Sequence, residues 1–179
     1  MRFDDLSSCA NTTAARLTSS GTTGLPKATI TTHRNLIAQH ELTYGLACPK
    51  QPYEVVHLFS MPMFHAAVAP RSHTTVLKNG EPACIMRRFE LEPFLANIEK
   101  FKVTELYLVS AMAVAIVMSP LLNKYSLKSV KQGLAGAAPL SKETQARLRK
   151  HMSPEAPFTQ VMGLTETSCI LTWFDYPEG

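Results

Sequence analysis

The feature that most constrains this 179-residue chain is an alternation of short apolar or β-branched runs with helical periods, repeated along most of its length. It is clearest at residues 90–109. Phe94, Leu95, Ile98 and Phe101 recur at the spacing of one helical face, and Pro93 falls at an early position that needs no backbone donor. A strand-length apolar run, 103–109, follows directly. The same reading predicts strands at 28–32, 55–59, 83–86, 130–134 and 158–162. It predicts helices at 35–44, with Leu36, Ile37, His40 and Tyr44 on one face, and at 66–77 despite Pro70. Two more are an apolar helix ending near Ser119-Pro120 and one running from a Ser141 cap to His151. Strands separated by helices pair side by side through crossovers. The expected fold class is therefore α/β, a mainly parallel sheet flanked by helices. No internal repeat, low-complexity tract or linker interrupts it.

Composition narrows the function. Hydrophobic residues make up 45% and charged residues 18%, the balance of a globular protein with a real core. The net charge of +4 is spread along the chain, and its one basic cluster, Arg147, Arg149, Lys150 and His151, reads as the cationic last turn of a helix. Without interleaved aromatics it argues against a nucleic-acid partner. Cys9, Cys48, Cys84 and Cys169 form no CxxC pair, which argues against a disulfide framework or a zinc site. His57, His65 and His73 lie eight apart, a spacing that suits no metal-ligand set. The apolar run 106–118 is too short to span a bilayer and the N-terminus lacks a signal-peptide core. The expectation is an intracellular chain in a reducing compartment, with no transmembrane segment and with its oligomeric state left open.

The stretch SSGTTGLPK, residues 19–27, carries the chemistry. Gly21 and Gly24 let the backbone turn its amides toward one point, the hydroxyls of Ser19, Ser20, Thr22 and Thr23 add donors, and Lys27 supplies a positive charge. Such a loop suits a polyphosphate and is expected to lie exposed between two strands. It is not the pattern GxxxxGK[ST], because Pro26 stands at the second glycine and Ala28 at the hydroxyl.

With Thr18 in front, these residues resemble the phosphate-binding signature of the adenylate-forming (AMP-binding) superfamily, which includes acyl-CoA synthetases, 4-coumarate:CoA ligases, luciferases and peptide-synthetase adenylation domains. Further blocks follow in the family's order: Thr32-His33-Arg34-Asn35, which would be the family's usual helix entry, Met61-Pro62-Met63-Phe64-His65, Gly136-Ala137-Ala138-Pro139-Leu140, and Gln160-Val161-Met162-Gly163-Leu164-Thr165-Glu166. The resemblance implies a carboxylic acid:CoA ligase using ATP, Mg²⁺ and coenzyme A, in a cytoplasmic or peroxisomal setting. A carboxylate attacks the α-phosphate of ATP, pyrophosphate leaves, and the acyl-adenylate is passed to the CoA thiol. Carried over by motif, Ser19 to Lys27 would hold the phosphates, Thr165 would donate to the α-phosphate and Glu166 would ligate Mg²⁺. Lys27, Thr165 and Glu166 are thus the expected catalytic residues. Gly136, Ala137, Ala138, Met162 and Gly163 would line the nucleotide, with Gly136, Gly163 and His65 facing the acyl group. Glu166 is expected at the carboxyl edge of the sheet.

Departures from the pattern carry information too. Ala28 replaces a usual glycine, which requires a negative φ there. Met162 replaces the tyrosine that stacks on adenine, Ser110-Ala111 replaces a frequent Pro-Pro, and Val68 replaces a frequent glycine. No acidic residue occurs between Phe59 and Asn79, where amino-acid-activating relatives keep a carboxylate for the α-ammonium. An aryl or fatty acid is therefore the expected substrate, in the manner of 4-coumarate:CoA ligase and medium-chain acyl-CoA synthetase. The 179 residues end soon after Glu166, before the family's ribose-binding aspartate, hinge and C-terminal lid with its lysine. Residues 1–179 are accordingly expected to be part of an AMP-binding domain, without the lid and turning over poorly alone. A non-catalytic nucleotide-binding remnant and a peptide-synthetase adenylation module are the alternatives.

Overall fold

The structure is a computed structural model that describes residues 5–21, 24–45 and 51–172, in two compact units. Elements are numbered in chain order. The first unit draws on residues 1–50, 62–79 and 163–171. It opens with α1 (Leu6–Asn11), capped by the Asp5 carboxylate, which accepts the Ser8 N–H at 2.7 Å. Strands β1 (Thr13–Ser19) and β2 (Lys27–Thr32) then pair antiparallel, with Ser19 opposite Lys27 and Leu17 opposite Thr29. Thr32 ends β2 and caps α2 (His33–Tyr44) in a reciprocal box with Asn35, so the Thr-His-Arg-Asn block is the helix entry expected of it. The buried side of α2 carries His40 and Thr43, while Ile37, expected on that face, is exposed.

The helix expected at 66–77 starts late and widens. His65 O accepts N–H bonds from both Val68 and Ala69, closing a turn first. Pro70 has no N–H with which to continue an α-helical ladder, and the chain passes through a π-turn at Arg71–Thr75 into α3 (Val76–Asn79). Strands β8 (Met162–Leu164) and β9 (Cys169–Thr172) form a second small ribbon, joined through a 3₁₀ turn at Thr165–Thr167.

The second unit draws on residues 51–61 and 80–162 and holds the main sheet. Strands β3 (His57–Phe59), β4 (Ala83–Ile85), β5 (Glu105–Val109), β6 (Gln132–Gly136) and β7 (Phe158–Gln160) lie in the order β4-β3-β5-β6-β7, all parallel. Helices α4 (Leu91–Phe101), α5 (Ser110–Met118) and α6 (Lys142–Arg149) make successive crossovers in one direction, which puts them on one face. There Phe94, Leu95 and Ile98 of α4, Met112, Ala113 and Ile116 of α5 and Leu148 of α6 bury Leu58, Leu106, Leu108 and Ala135 in one core. Ser141 caps α6 by accepting the Thr144 N–H at 3.1 Å. The opposite face holds a buried polar row, His57, Glu105 and Gln132, matched across three strands. Tyr53 and Tyr107 each donate to Glu105 at 2.6 Å, and His57 meets Glu81 at 2.7 Å.

The α/β class and its parallel sheet are as expected, with two corrections. Residues 28–32 form a strand, but in the hairpin with β1, a partner the alternation did not reveal, and not in the parallel sheet. The strand expected over 158–162 ends at Gln160. The Val161 N–H still reaches Ala135 O at 2.9 Å, and the chain then leaves the sheet for the β8–β9 ribbon. Glu166 is therefore carried by a separate turn beyond the end of β7.

Candidate functional site

The site is built on the β1–β2 hairpin. Alternation puts Ala15, Leu17, Ser19, Lys27, Thr29 and Thr31 on one side of it, where Leu17 packs with Ala66 and Ala69 and Thr31 is fully covered. Arg16, Thr18, Ala28 and Ile30 point outward and are exposed. Ser19 and Lys27 are thus opposite one another on the inner side, at the end where the strands open into the loop. Gly21 has φ +63° and Gly24 φ +149°, conformations that side chains disfavour, and a Cβ at Gly21 would lie 3.3 Å from Leu25 O. Thr22 and Thr23 lie outside the described residues. Ser20, Gly24 and Lys27 are exposed, and Ala28 keeps a negative φ, as its replacement of glycine requires.

The turn at Thr165–Thr167 packs against both strands of this hairpin. Its shape comes from three local constraints. Gly163 passes so close to β9 that a Cβ would sit 2.1 Å from Cys169 O. The Thr167 hydroxyl accepts the Leu164 N–H at 3.2 Å, and the Ser168 N–H reaches Thr165 O at 3.1 Å. Ser168 and Cys169 then take φ values of +60° and +111°, strain of order 1–3 kcal/mol each that the tight return makes necessary.

This turn delivers Glu166 to the end of the hairpin. The Ser19 hydroxyl donates to Glu166 Oε1 at 2.6 Å, joining residues 147 apart in sequence. That bond foremost, then a backbone N–H and the charge of Lys27, hold the Glu166 carboxyl below the usual carboxylate range. The carboxylate is exposed and anionic at neutral pH, beside an ammonium and a glycine turn. A cation and a polyanion could both be met at one point. Thr165, half-buried, sits one residue earlier on the same turn.

His65 is exposed and its Nδ1 accepts the Ala67 N–H at 3.0 Å, a turn-forming bond that directs the ring. Phe64 beside it is 79% exposed, while Ala66 joins the small core under β1. Gly136, Ala137, Ala138 and Met162 belong to the second unit. There a Cβ on Gly136 would press on Val161 at 3.2 Å, and Ala137 adopts φ +72°. Ser110 holds this bend by donating to the carbonyls of Gly136, at 3.3 Å, and Ala138, and Gln160 Oε1 accepts the Leu140 N–H at 2.7 Å. Met162 is 55% exposed. Sequence reasoning singled out Ser110 only as a departure; a lone hydroxyl on the first residue of an otherwise apolar helix was the signal that it tethers a neighbouring bend. Arg71, buried with its guanidinium 4.0 Å over the Tyr44 ring, was missed, and Pro70 before it was the only hint of an irregular helix. Among the described residues no group of three His, Cys, Asp or Glu could hold a metal, and no helix is long and apolar enough to cross a membrane.

The chain belongs to the AMP-binding enzyme family, whose model it matches over residues 4–179. A phenylacetyl-CoA ligase, epaB, of Aspergillus niger is 48% identical over 99% of this chain and 33% of its own length. The 4-coumarate–CoA ligase-like 9 of Arabidopsis thaliana is 39% identical over 87% of this chain and 27% of its length. Among solved structures, a long-chain-fatty-acid-CoA ligase (FadD1) of Archaeoglobus fulgidus superposes with a TM-score of 0.77 at 26% identity, covering 92% of this chain and 34% of that one. The chain thus spans about a third of the length of the curated relatives it matches.

Proposed function

We propose that these residues are part of the N-terminal adenylation domain of an ATP-dependent carboxylic acid:CoA ligase, which activates an aryl or fatty acid as its acyl-adenylate and transfers it to CoA. The observation that carries the reading is the convergence of Ser19, Lys27 and Glu166 on one end of the β1–β2 hairpin. The donor set fits Mg²⁺. A single exposed carboxylate is what that ion takes from a protein when phosphates and water complete its octahedron. When bound, it would neutralise charge shared between the phosphates of ATP. Glu166 would hold it, the amides around Gly21 and Gly24 would cradle the leaving phosphates, and Lys27 would pair with their charge. Thr165 would offer its hydroxyl to the α-phosphate. His65 and the apolar residues around it would face the acid, and Gly136 to Ala138 would let ligand approach the backbone. A reducing, intracellular compartment suits Cys9, Cys84 and Cys169, all unpaired.

The test is pyrophosphate exchange in the protein that carries this chain, with phenylacetic, cinnamic, medium-chain fatty and amino acids in parallel. The reading expects exchange with members of the first three classes. Exchange driven by amino acids alone would transfer the chain to the peptide-synthetase class. Glu166→Gln should raise the Mg²⁺ needed for half-maximal exchange, and Thr165→Val should slow exchange by about 10²-fold, as loss of one oxyanion donor does.

A further inference from the structure

Motif alone makes every hydroxyl of the loop a phosphate donor, yet Ser19 is already committed elsewhere. It is the last residue of β1, half-buried, and its side chain faces the Thr165–Thr167 turn, not the crown of the loop. Its Oγ donates to Glu166 Oε1 at 2.6 Å, a length typical of a charge-assisted O–H···O⁻ bond. On the other side of the turn nothing loose remains. Gly163 lies against Cys169 O, Thr167 ties back to Leu164, and Ser168 and Cys169 are locked in left-handed conformations. The backbone of Glu166 is thereby fixed, and Ser19 fixes the rotation of its carboxyl group.

We infer that Ser19 is a positioning residue for the cation, holding Glu166 through Oε1 so that Oε2 is presented to a divalent ion at the phosphate loop. The inference rests on the functional reading above and deepens it. Ser19 acts on the metal through Glu166, so cation binding and loop conformation are coupled: β1 cannot shift without releasing the carboxylate. Ser20, exposed and one residue further on, remains the first hydroxyl available to phosphate.

The experiment compares the chain with its Ser19→Ala, Ser19→Thr and Glu166→Gln variants in two titrations. One measures ATP affinity in EDTA; the other measures Mn²⁺ affinity at saturating ATP, by water-proton relaxation. For Ser19→Ala the fall in Mn²⁺ affinity should be about tenfold, the usual worth of a hydrogen bond to a charged group, and should exceed the fall in metal-free ATP affinity at least about fivefold. Ser19→Thr, which keeps the hydroxyl, should restore most of the Mn²⁺ affinity, and Glu166→Gln should lose it more completely than Ser19→Ala. Unchanged thermal midpoints establish that each variant folds. Equal losses in both titrations would make Ser19 an ordinary phosphate donor and overturn the inference while leaving the functional reading intact. Failure of the unaltered chain to bind ATP in either titration would remove the functional reading, and this inference with it.

Discussion

Replacing Gly163 with alanine tests the turn that presents Glu166. The glycine does not need a left-handed φ, so alanine meets no backbone penalty and the effect is purely one of space. The added Cβ would lie 2.1 Å from Cys169 O and 2.8 Å from its carbonyl carbon, both backbone atoms that cannot rotate away. Ordinary contact lies near 3.5 Å, so the ribbon must open by more than about 1 Å at this point. Overpacking of this kind costs about 1–3 kcal/mol. The displacement also falls three residues before Glu166, whose bond to Ser19 at 2.6 Å has little slack. Gly136→Ala is the internal comparison, because its Cβ would meet Val161 at 3.2 Å, where a shift of a few tenths of an ångström suffices. Urea unfolding read by far-UV circular dichroism gives the stability change, and Mn²⁺ titration at saturating ATP gives the functional one. Gly163→Ala should lose stability and cation affinity together, with Gly136→Ala losing less of both. A Gly163→Ala chain with unaltered unfolding and unaltered Mn²⁺ affinity would refute the claim that this close approach sets the position of Glu166.

Three further outcomes follow from the same structure. Burial pushes the Cys169 thiol up to about 11, against the opposing charge of Arg71, so alkylation by iodoacetamide at pH 8 should run on the order of 10²-fold slower at Cys169 than in the urea-unfolded chain, as peptide mass spectrometry can show. His151 is held below its ordinary 6.5 by burial and then by the Lys128 charge. The folded chain therefore refuses a proton that the unfolded chain accepts. Stability should fall as pH drops from above 6.5 through the lowered value, and His151→Asn should flatten that slope in urea titrations between pH 7.5 and 5. Met162→Tyr should tighten ATP binding by about tenfold or more if this exposed side chain lies against the adenine, since aromatic stacking on a base is worth about 1–3 kcal/mol; unchanged affinity would remove it from the nucleotide site.

The parts of this fold that were legible in the sequence are those where local periodicity and burial agree. Phe94, Leu95 and Ile98 repeat at helical spacing and are all fully buried, and Ser141 and Thr32 cap the helices they precede. Elsewhere a tertiary contact decides. A strand before the loop was expected, but the extent of β1 was hidden because TAARLTS shows only one strongly apolar residue, Leu17, and owes its pairing to β2. Ile37 looked like a core residue, but α2 buries His40 and Thr43, and His40 bonds Thr75 at 3.0 Å. Helix α1 has no apolar period and depends on the Asp5 cap. At the site, composition and order pointed to the loop, and the family resemblance pointed to Glu166. The link between them was not legible, because a bond across 147 residues has no local signal, and neither were the left-handed Ala137, Ser168 and Cys169, whose conformations contradict their side-chain preferences.

Calorimetric titration of ATP into the chain, with and without Mg²⁺, tests the central claim that the hairpin loop and the Glu166 turn form one nucleotide–cation site. ATP should bind, and Mg²⁺ should strengthen that binding. Lys27→Ala should weaken it at least about tenfold in both conditions, as loss of a charged contact does, whereas Glu166→Gln should abolish the gain from Mg²⁺ and spare most of the metal-free affinity. ATP bound equally well by the unaltered chain, Lys27→Ala and Glu166→Gln, with the same response to Mg²⁺, would contradict the account.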